Sequence, residues 1–488
     1  MNSVDVLIVG AGPTGLTLAI ECLRYNLSCR IIDQSPEPAI YSKAIAIQAR
    51  TLETFQRMGI HERFLASGIQ IKAANIHIGQ KKHARIDLQD IPSPFPFVLG
   101  IEQNKTEQIL SDYLKELGGS IERSKRLISY EEKQGSIIAQ TDNESIQAKY
   151  LVGCDGPHST VRKALGLTFE GKLFSDIFSL ADVKIGWDRP HNELQVFWGS
   201  EGIMAVFPLP DKDCFRLIFQ LKRLRGLLNP DLSIEHGIVE QKEIALPTLP
   251  QIERLLSSFI QEKVITVSDP QWIANFQINS RLSNRYRKNN IFLAGDAAHI
   301  HSPVGGQGMN TGIQDAFNLA WKIAYVHRQL SNSSLLDTYE EERHCVGKKL
   351  LKGTEIASKI VTLNSPLLLF IRNHLLFFLL SFDVIRKKIV SAISEVNIRC
   401  PQKRVPNMTI VHEGKEVDFF TLTQKSKEFH LLLFNVAKPP IDHPQIRAYH
   451  VKEDSPPKAL PKALLVRPDG YLALEDRPPF KKLREYQI

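Results

Sequence analysis

"VDVLIVGAGPTGLTLAIECLRYNLSCRIID" (residues 4–33) decides how the chain begins to fold. Its first six residues are a continuous apolar run with β-branched members, the pattern of a strand buried on both faces. Gly10, Gly12 and Gly15 follow as G-x-G-x-x-G. The first glycine permits a tight turn, the second lets a pyrophosphate reach the backbone, and the third lets the next helix pack on the strand. That helix, "LTLAIECLRYN", places Leu16, Ala19, Ile20 and Leu23 on one side. Its start offers free amides and a positive dipole end to phosphate. "SCRIID" is a second strand ending at Asp33, eighteen residues past Gly15. That is close to the ~20 at which an acid accepts ribose hydroxyls. The segment therefore predicts a dinucleotide site in a doubly wound α/β unit. The motif by itself does not separate NAD, NADP and FAD.

The rest of the chain is too long for that unit alone. At 488 residues it exceeds the ~250–300 at which one core stops growing, so two or three domains are expected. With 43% apolar and 23% charged residues the composition is that of a globular protein. The net charge of +8 is dispersed and suits anionic ligands such as nucleotide cofactors. No long basic tract or aromatic-interleaved basic motif appears, so nucleic acid is not expected as a partner. The cysteines, at 22, 29, 154, 214, 345 and 400, form no CxxC and no zinc-site spacing. They read as isolated thiols of a reducing compartment. The N-terminus lacks a basic n-region and breaks into glycine early, which points to the cytoplasm. "SPLLLFIRNHLLFFLLSFDVIRKK" (365–388) is interrupted by Arg372, Asn373 and His374, so no transmembrane segment is expected. It reads as a buried or domain-bridging helix, with a helix lying on a membrane surface as the alternative.

Further segments repeat the strand-then-loop plan. "KYLVGCDGPHSTVRKALG" (149–166) is an apolar strand, then Asp155-Gly156, then a short helix capped by Ser159 or Thr160. "NNIFLAGDAAH" (289–299) ends in Gly295-Asp296, and "TGIQDAFNLAWKIAYV" (311–326) continues as a helix with Ile313, Ala316, Phe317, Ala320 and Ala324 at helical spacing. With "GAGPTG" at 10–15, "CDGPHSTVR" at 154–162 and "GDAAHIHSPVGGQGMNTGIQDAFNLAWKIA" at 295–324, the chain resembles the single-component FAD-dependent aromatic hydroxylases typified by para-hydroxybenzoate hydroxylase. It is most similar to the branch containing phenol hydroxylase, pentachlorophenol monooxygenase and polyketide hydroxylases. The resemblance spans about residues 1–400 and continues weakly to "LLVRPDGYLAL".

The resemblance implies an α/β fold: a Rossmann-like FAD-binding domain interleaved with a β-sheet substrate domain, and a shortened thioredoxin-like C-terminal domain. Residues 1–72, 101–172 and 276–365 would bind FAD, and 73–100 with 173–275 would form the substrate sheet. Residues 366–398 would be connecting helices, and 399–488 a thioredoxin-like module without CxxC. The late segment would return to complete the FAD site, with Gly295 and Asp296 near the ribityl or pyrophosphate. Gly305, Gly306, Gly308, Met309 and Asn310 would lie along the pyrimidine edge of the flavin. Amides and a helix N-terminus suit the negative charge that reduced flavin carries on that edge. Pro303 would stiffen the wall facing the site of oxygen attack. Lys43 stands where many relatives have arginine. Lys43, Arg50 and Gln103 would approach the flavin, with a solvated surface residue as the other reading of each. His299 and His301 read as support rather than metal ligands, and no metal is expected.

No second G-x-G-x-x-G is found, so NAD(P)H would dock transiently, received by the Asp155-Gly156 loop and by Arg162, unless Arg162 is only a helix-surface charge. In the middle section Phe197, Trp198, Met204 and Phe207 line an apolar aromatic pocket or belong to the core, and no acid-base residue can be named. The implied activity is hydroxylation of an aromatic, phenolic small molecule with NAD(P)H and dioxygen through a flavin hydroperoxide. Epoxidation, Baeyer–Villiger insertion or flavin-linked reduction on the same frame are the alternatives. A flavin-bound interaction or membrane-surface protein without useful turnover is the rival of another class. Peripheral membrane contact and a homodimer stay open as partner states.

Overall fold

The apolar run at the start of the chain forms the strand Ser3–Val9, whose Val6, Leu7 and Ile8 are fully buried. The structure is a computed structural model, and it describes residues 3–39, 44–78, 82–199, 202–220, 238–240, 245–260, 266–302, 305–361, 371, 375, 378–398, 400, 401, 403–434, 436, 441, 443–451, 462–477 and 482. Cys29–Ile32 and Ser145–Gly153 flank the first strand, both parallel to it. Ile291–Leu293 adds to the far side of Ser145–Gly153, again parallel. Three segments far apart in the chain thus become neighbours in one sheet. Ligands bind outside the carboxyl ends of such strands, and that is where the three glycine-bearing loops emerge.

Two glycines make this closeness sterically allowed. A Cβ on Gly10, at φ +104°, would lie 2.3 Å from the carbonyl oxygen of Cys154. One on Gly15 would lie 1.9 Å from the carbonyl oxygen of Gly10. The helix Pro13–Arg24 therefore sits directly on its strand, and the first loop touches the second.

A second sheet runs in the order Ile238–Glu240, Thr266–Ser283, Phe169–Gly186, Cys214–Gln220, Gly202–Pro208, Glu193–Gly199, Ala73–Ile78, Lys82–Asp87. The expected domain boundaries at 172/173 and 275/276 fall inside two of these strands, because each runs unbroken from one unit into the other. A helix unforeseen in the sequence, Leu249–Phe259, covers one face with Ile252 and Leu256. Its apolar residues Ile252, Leu255, Leu256 and Phe259 have helical spacing. The C-terminal part forms a mixed sheet: Phe429–Phe434 and Ile446–Val451 are parallel, and Lys462–Val466 and Leu472–Asp476 extend it antiparallel.

Two expectations are corrected. Cys345 and Cys400 are not isolated thiols; they form a disulfide across 55 residues, with Cα atoms 5.7 Å apart. Sequence spacing carries no trace of a pair that only chain folding brings together. Part of the apolar stretch 365–388 lies outside the described residues. Of the described positions, Ile371, Leu375, Phe378, Phe382 and Val384 are exposed, so burial does not account for their apolar character. No helix among the described residues is long and apolar enough to cross a membrane.

Candidate functional site

The groove between the three loops is built from strand ends and helix starts. Gly12 caps the helix Pro13–Arg24, and a Cβ there would meet nothing within 4 Å. The backbone is therefore open where Gly10 and Gly15 are closed. Asp33 ends the second strand; its Oδ2 accepts the Ala11 N–H at 2.7 Å and its Oδ1 the Ser35 N–H at 2.8 Å. The carboxylate both shapes the loop and stands beside it. In the second segment, Ser159 caps the short helix Thr160–Ala164 by accepting the Arg162 N–H at 2.9 Å. Asp155 Oδ2 accepts the Thr160 N–H at 2.7 Å. Burial pushes the Asp155 carboxyl up, and hydrogen bonds to it oppose that rise.

Arg162 differs from both sequence readings. It is buried, donates to the carbonyls of Ala297 at 2.9 Å and Pro157 at 2.7 Å, and stacks 3.8 Å over Phe169. It ties the second segment to the third instead of facing solvent, where a transient nucleotide would meet it.

The third segment is held by a residue that the sequence reading passed over. Asp315, fully buried on the helix Gly308–His327, accepts the Gly295 N–H at 3.1 Å and His299 Nε2 at 2.6 Å. Its other oxygen accepts Arg343 Nε at 2.5 Å. Burial alone would raise this carboxyl; Arg343 and His299 outweigh it and hold it below the ordinary carboxylate range. The turn Gly295–Ala297 is thereby fixed, and Asp296 stands exposed upon it. Thr14 fills the space between Gly295 and Gly312, which seats the late helix on the first one.

Gly305 and Gly306 have φ of +96° and +64°, and a Cβ on Gly308 would meet nothing within 4 Å. Asn310 is fully buried, and its side chain braces the loop: Nδ2 donates to Ala46 and Gly306 carbonyls at 2.9 and 2.8 Å, and Oδ1 accepts the Gln48 N–H at 2.9 Å. Gln48, also missed, donates Nε2 to the Gly305 carbonyl at 2.8 Å. Its Oε1 is buried without a hydrogen-bond partner among the described residues. Met309 is half-buried against the main core. Gln103 begins the helix Gln103–Glu116 and donates to Glu107 at 2.8 Å. Arg50 is buried on the helix Ala49–Met58, paired with Glu53 at 2.9 Å and lying 4.6 Å over the Tyr471 ring of the C-terminal part. Lys43 and Pro303 lie outside the described residues.

Strand alternation splits the aromatic set of the second sheet. Phe197 pairs with Met204, and both belong to the core under Leu249–Phe259. Trp198 and Phe207 point to the other face, with Ile203, Ile218, Phe178 and Phe276. Phe197 and Trp198 are consecutive, so a strand could never show both on one side. On that other face lies a buried ion pair that the sequence hid inside apolar strands. Arg216 Nε and Nη2 meet Asp182 Oδ1 and Oδ2, each at 2.6 Å, under Trp272.

These features fit a bound dinucleotide. Two glycines stand open at helix starts, where amides favour phosphate. A buried acceptor on Gln48 lacks a partner, and an exposed carboxylate stands on a rigid turn.

Comparison with known proteins agrees with the geometry. The family described as FAD binding domain matches residues 3–354. A 6-methylpretetramide 4-monooxygenase of Streptomyces rimosus is 34% identical over 367 residues, which cover 74% of this chain and 63% of that protein. The chain thus spans less than two thirds of that relative. A rifampicin monooxygenase of Rhodococcus hoagii is 31% identical over 484 residues, covering 96% of this chain and 94% of its own. Among solved structures, an anhydrotetracycline hydroxylase from Streptomyces rimosus superposes with a TM-score of 0.79 at 27% identity, covering 99% of this chain and 98% of that one. A Diels-Alderase of pyrroindomycin biosynthesis gives 0.80 at 26% identity, with the same coverage.

Proposed function

The chain belongs to the FAD binding domain family, and from that premise we propose that it is an FAD-dependent monooxygenase hydroxylating an aromatic, phenolic small molecule with NAD(P)H and dioxygen. The observation that carries this reading is the convergence of three distant glycine segments on one groove, whose open glycines and exposed Asp296 suit FAD. Asp33 and Asp296 would accept hydroxyls of the cofactor, Gly12 would admit its pyrophosphate, and the amides after Gly305 would face its pyrimidine edge. Asp155 would stand near the pyrophosphate and Gln103 near the ring system, while Arg50 is engaged by Glu53, the Asp469 carbonyl and the Tyr471 ring. FAD supplies the redox chemistry with NAD(P)H and dioxygen when bound. The protein's share is to hold the aromatic ring against the cofactor and to keep water out. The aromatic face with Trp198 and Phe207 offers the surface for that ring. The relatives' names include a substituted single phenol, pentachlorophenol, beside 6-methylpretetramide and rifampicin, so the panel spans both sizes. The need for NAD(P)H favours the cytoplasm.

One fold here serves two chemistries, since a Diels-Alderase shares it. The deciding experiment measures NAD(P)H oxidation and incorporation of labelled dioxygen across a panel of phenols and polycyclic phenols. Compounds that speed NAD(P)H oxidation and emerge with one labelled oxygen atom are expected. A panel that gives neither stimulation nor label would refute the hydroxylase reading and leave the cofactor fold standing. The exposed row Ile371, Leu375, Phe378 and Phe382, followed by Arg386, Lys387 and Lys388, favours a peripheral contact of the same enzyme with a lipid surface. Flotation with anionic liposomes tests it.

A further inference from the structure

The stretch "LLVRPDGYLAL" (464–474) has no cysteine pair to work with, yet its turn is one of the most buried polar features of the molecule. Arg467 and Asp469 are 4% and 2% exposed. Arg467 donates Nη1 and Nη2 to the two oxygens of Glu342 at 2.6 and 2.9 Å, and Nε to Asp469 Oδ1 at 3.0 Å. Asn318 Nδ2 reaches both Asp469 Oδ2 and Glu342 Oε2 at 2.9 Å. Lys322 Nζ stands 3.1 Å from Glu342. The Asp469 carbonyl accepts Arg50 Nη2 at 2.9 Å.

This turn grips two helices at once, and both of them carry the groove. Asn310, Gln314, Asn318 and Lys322 recur every fourth residue on Gly308–His327, so they form one polar row along its length. The row begins at Asn310, which clamps the glycine loop, and ends at the C-terminal turn. Gln314, between them, meets Thr51 at 3.2 Å and Glu395 at 2.5 Å. The second helix, Ala49–Met58, starts just after Gln48, which holds Gly305 and Asn310 from the opposite side. Asn318 is eight residues beyond Asn310, about 12 Å along a rigid rod. Asp469 therefore adds a tie between the two helices, at their far end, to those that Gln314–Thr51 and Asn310–Ala46 make nearer the glycine loop.

We propose that Asp469 is a positioning residue for the FAD site, and that the C-terminal module acts as a brace holding the loop Gly305–Asn310 in its cofactor-binding position. The inference rests on the FAD reading given above. A brace needs no redox chemistry, which accounts for a thioredoxin-sized appendage without paired cysteines. Breaking the turn leaves only the bonds nearer the loop to hold the two helices together, and the loop's spacing loosens although it touches none of the altered atoms.

The test uses the full chain. Asp469→Asn removes the charge shared by Arg467 and Asn318 at nearly constant volume. Tyr471→Leu removes the ring beneath Arg50 and serves as the second variant should the first fail to fold. Leu432→Ala, in the fully buried core of the C-terminal sheet, is the control that destabilises the module while leaving every polar residue of the turn in place. FAD dissociation constants, the visible absorption of bound flavin and thermal midpoints are measured for each. Asp469→Asn, or Tyr471→Leu in its place, should raise the FAD dissociation constant tenfold or more and alter the flavin band. Leu432→Ala should lower the midpoint at least as far with the constant within twofold. Unchanged FAD affinity in the turn variant, or an equal loss in the control, overturns the brace. A wild-type chain that takes up no FAD at all overturns the cofactor reading, and the brace falls with it.

Discussion

A methyl group added at Gly12 or Gly308 would meet no protein atom within 4 Å, whereas one at Gly470 would meet the guanidinium of Arg57 at 2.8 Å. The two regions use similar material, glycines beside charged side chains, with opposite results. In the groove, Asp296 stands exposed and Gln48 Oε1 is left unpartnered among the described residues. At the C-terminal turn, Arg467, Asp469, Glu342 and Asn318 bond to one another. A buried polar group without a partner costs free energy. The turn leaves Asn318 Oδ1 and the three Arg57 guanidinium nitrogens without a hydrogen-bond partner among the described residues too. These are enclosed by protein, whereas the groove keeps open space beside Gly12 and Gly308. The difference between the two regions is steric: space for a ligand stands beside the backbone in one, and side chains fill it in the other.

The sharpest way to break this contrast is at the closed Gly10 and its open neighbour Gly12. Gly10→Ala drives a methyl into the backbone of Cys154 at a positive φ, and neither strand end can retreat. We expect a loss above about 4 kcal/mol, enough to remove folded protein from the soluble fraction. Gly12→Ala should leave the thermal midpoint within a degree or two and weaken FAD instead. If Gly12→Ala unfolds the chain as Gly10→Ala does, the groove is filled by protein and the comparison fails.

Glu395 sharpens the boundary between the regions, because it lies where the polar row passes from groove to brace. It is buried at φ +60°, and burial pushes its carboxyl up to about 8; Gln314, Arg343 and Arg50 oppose the shift and Asp315 adds to it. An acid with a raised folded pKa binds more protons folded than unfolded. Its stabilising effect is therefore complete below the unfolded value and lost as pH rises through about 8. At about 1.4 kcal/mol per unit the loss is of order a few kcal/mol. Denaturant unfolding at pH 5 and pH 9 should show this fall in the wild type and a clearly smaller one in Glu395→Gln. Equal slopes would mean that Glu395 is solvated or already ionised.

Asp296→Ala should give the smallest change in stability and a distinct change in ligand binding. Losing a charge-assisted hydrogen bond of roughly 1.5–3 kcal/mol weakens FAD by tens-fold or more. Because the side chain is exposed on a turn that Asp315 holds independently, the thermal midpoint of the FAD-free protein should move far less than the FAD affinity. A variant that keeps FAD as tightly as wild type would remove Asp296 from the groove.

The sequence reading found what depends on near neighbours. Gly10, Gly12, Gly15 and Asp33 declare a nucleotide loop because their roles are set within thirty residues. Ile313, Ala316 and Phe317 declare a helix because their spacing is local. The reading went wrong where a side chain answers to something distant. Arg162 read as a receiver of the NAD(P)H pyrophosphate or as a surface charge, and only the carbonyl of Ala297, 135 positions away, turns it inward. Phe197 and Trp198 read as one set, pocket or core, until the register of the sheet gave them to opposite faces, which plain alternation foretold.

By itself the sequence determined that a dinucleotide-binding α/β unit is present and that the C-terminal part has no CxxC; that three separated glycine segments serve one site came only from the family resemblance. Glycine, strand and cap preferences act over a few residues, and they survive in the order of the letters. Only the tertiary structure decided that Asp315 fixes the turn bearing Asp296, that Gln48 and Asn310 clamp the glycine loop, that Cys345 bonds to Cys400, and that Asp469 joins two helices of the groove. Each of these pairings is between residues whose partners lie from twenty to several hundred positions off. Any of those partners has many equivalents in the chain until packing selects one.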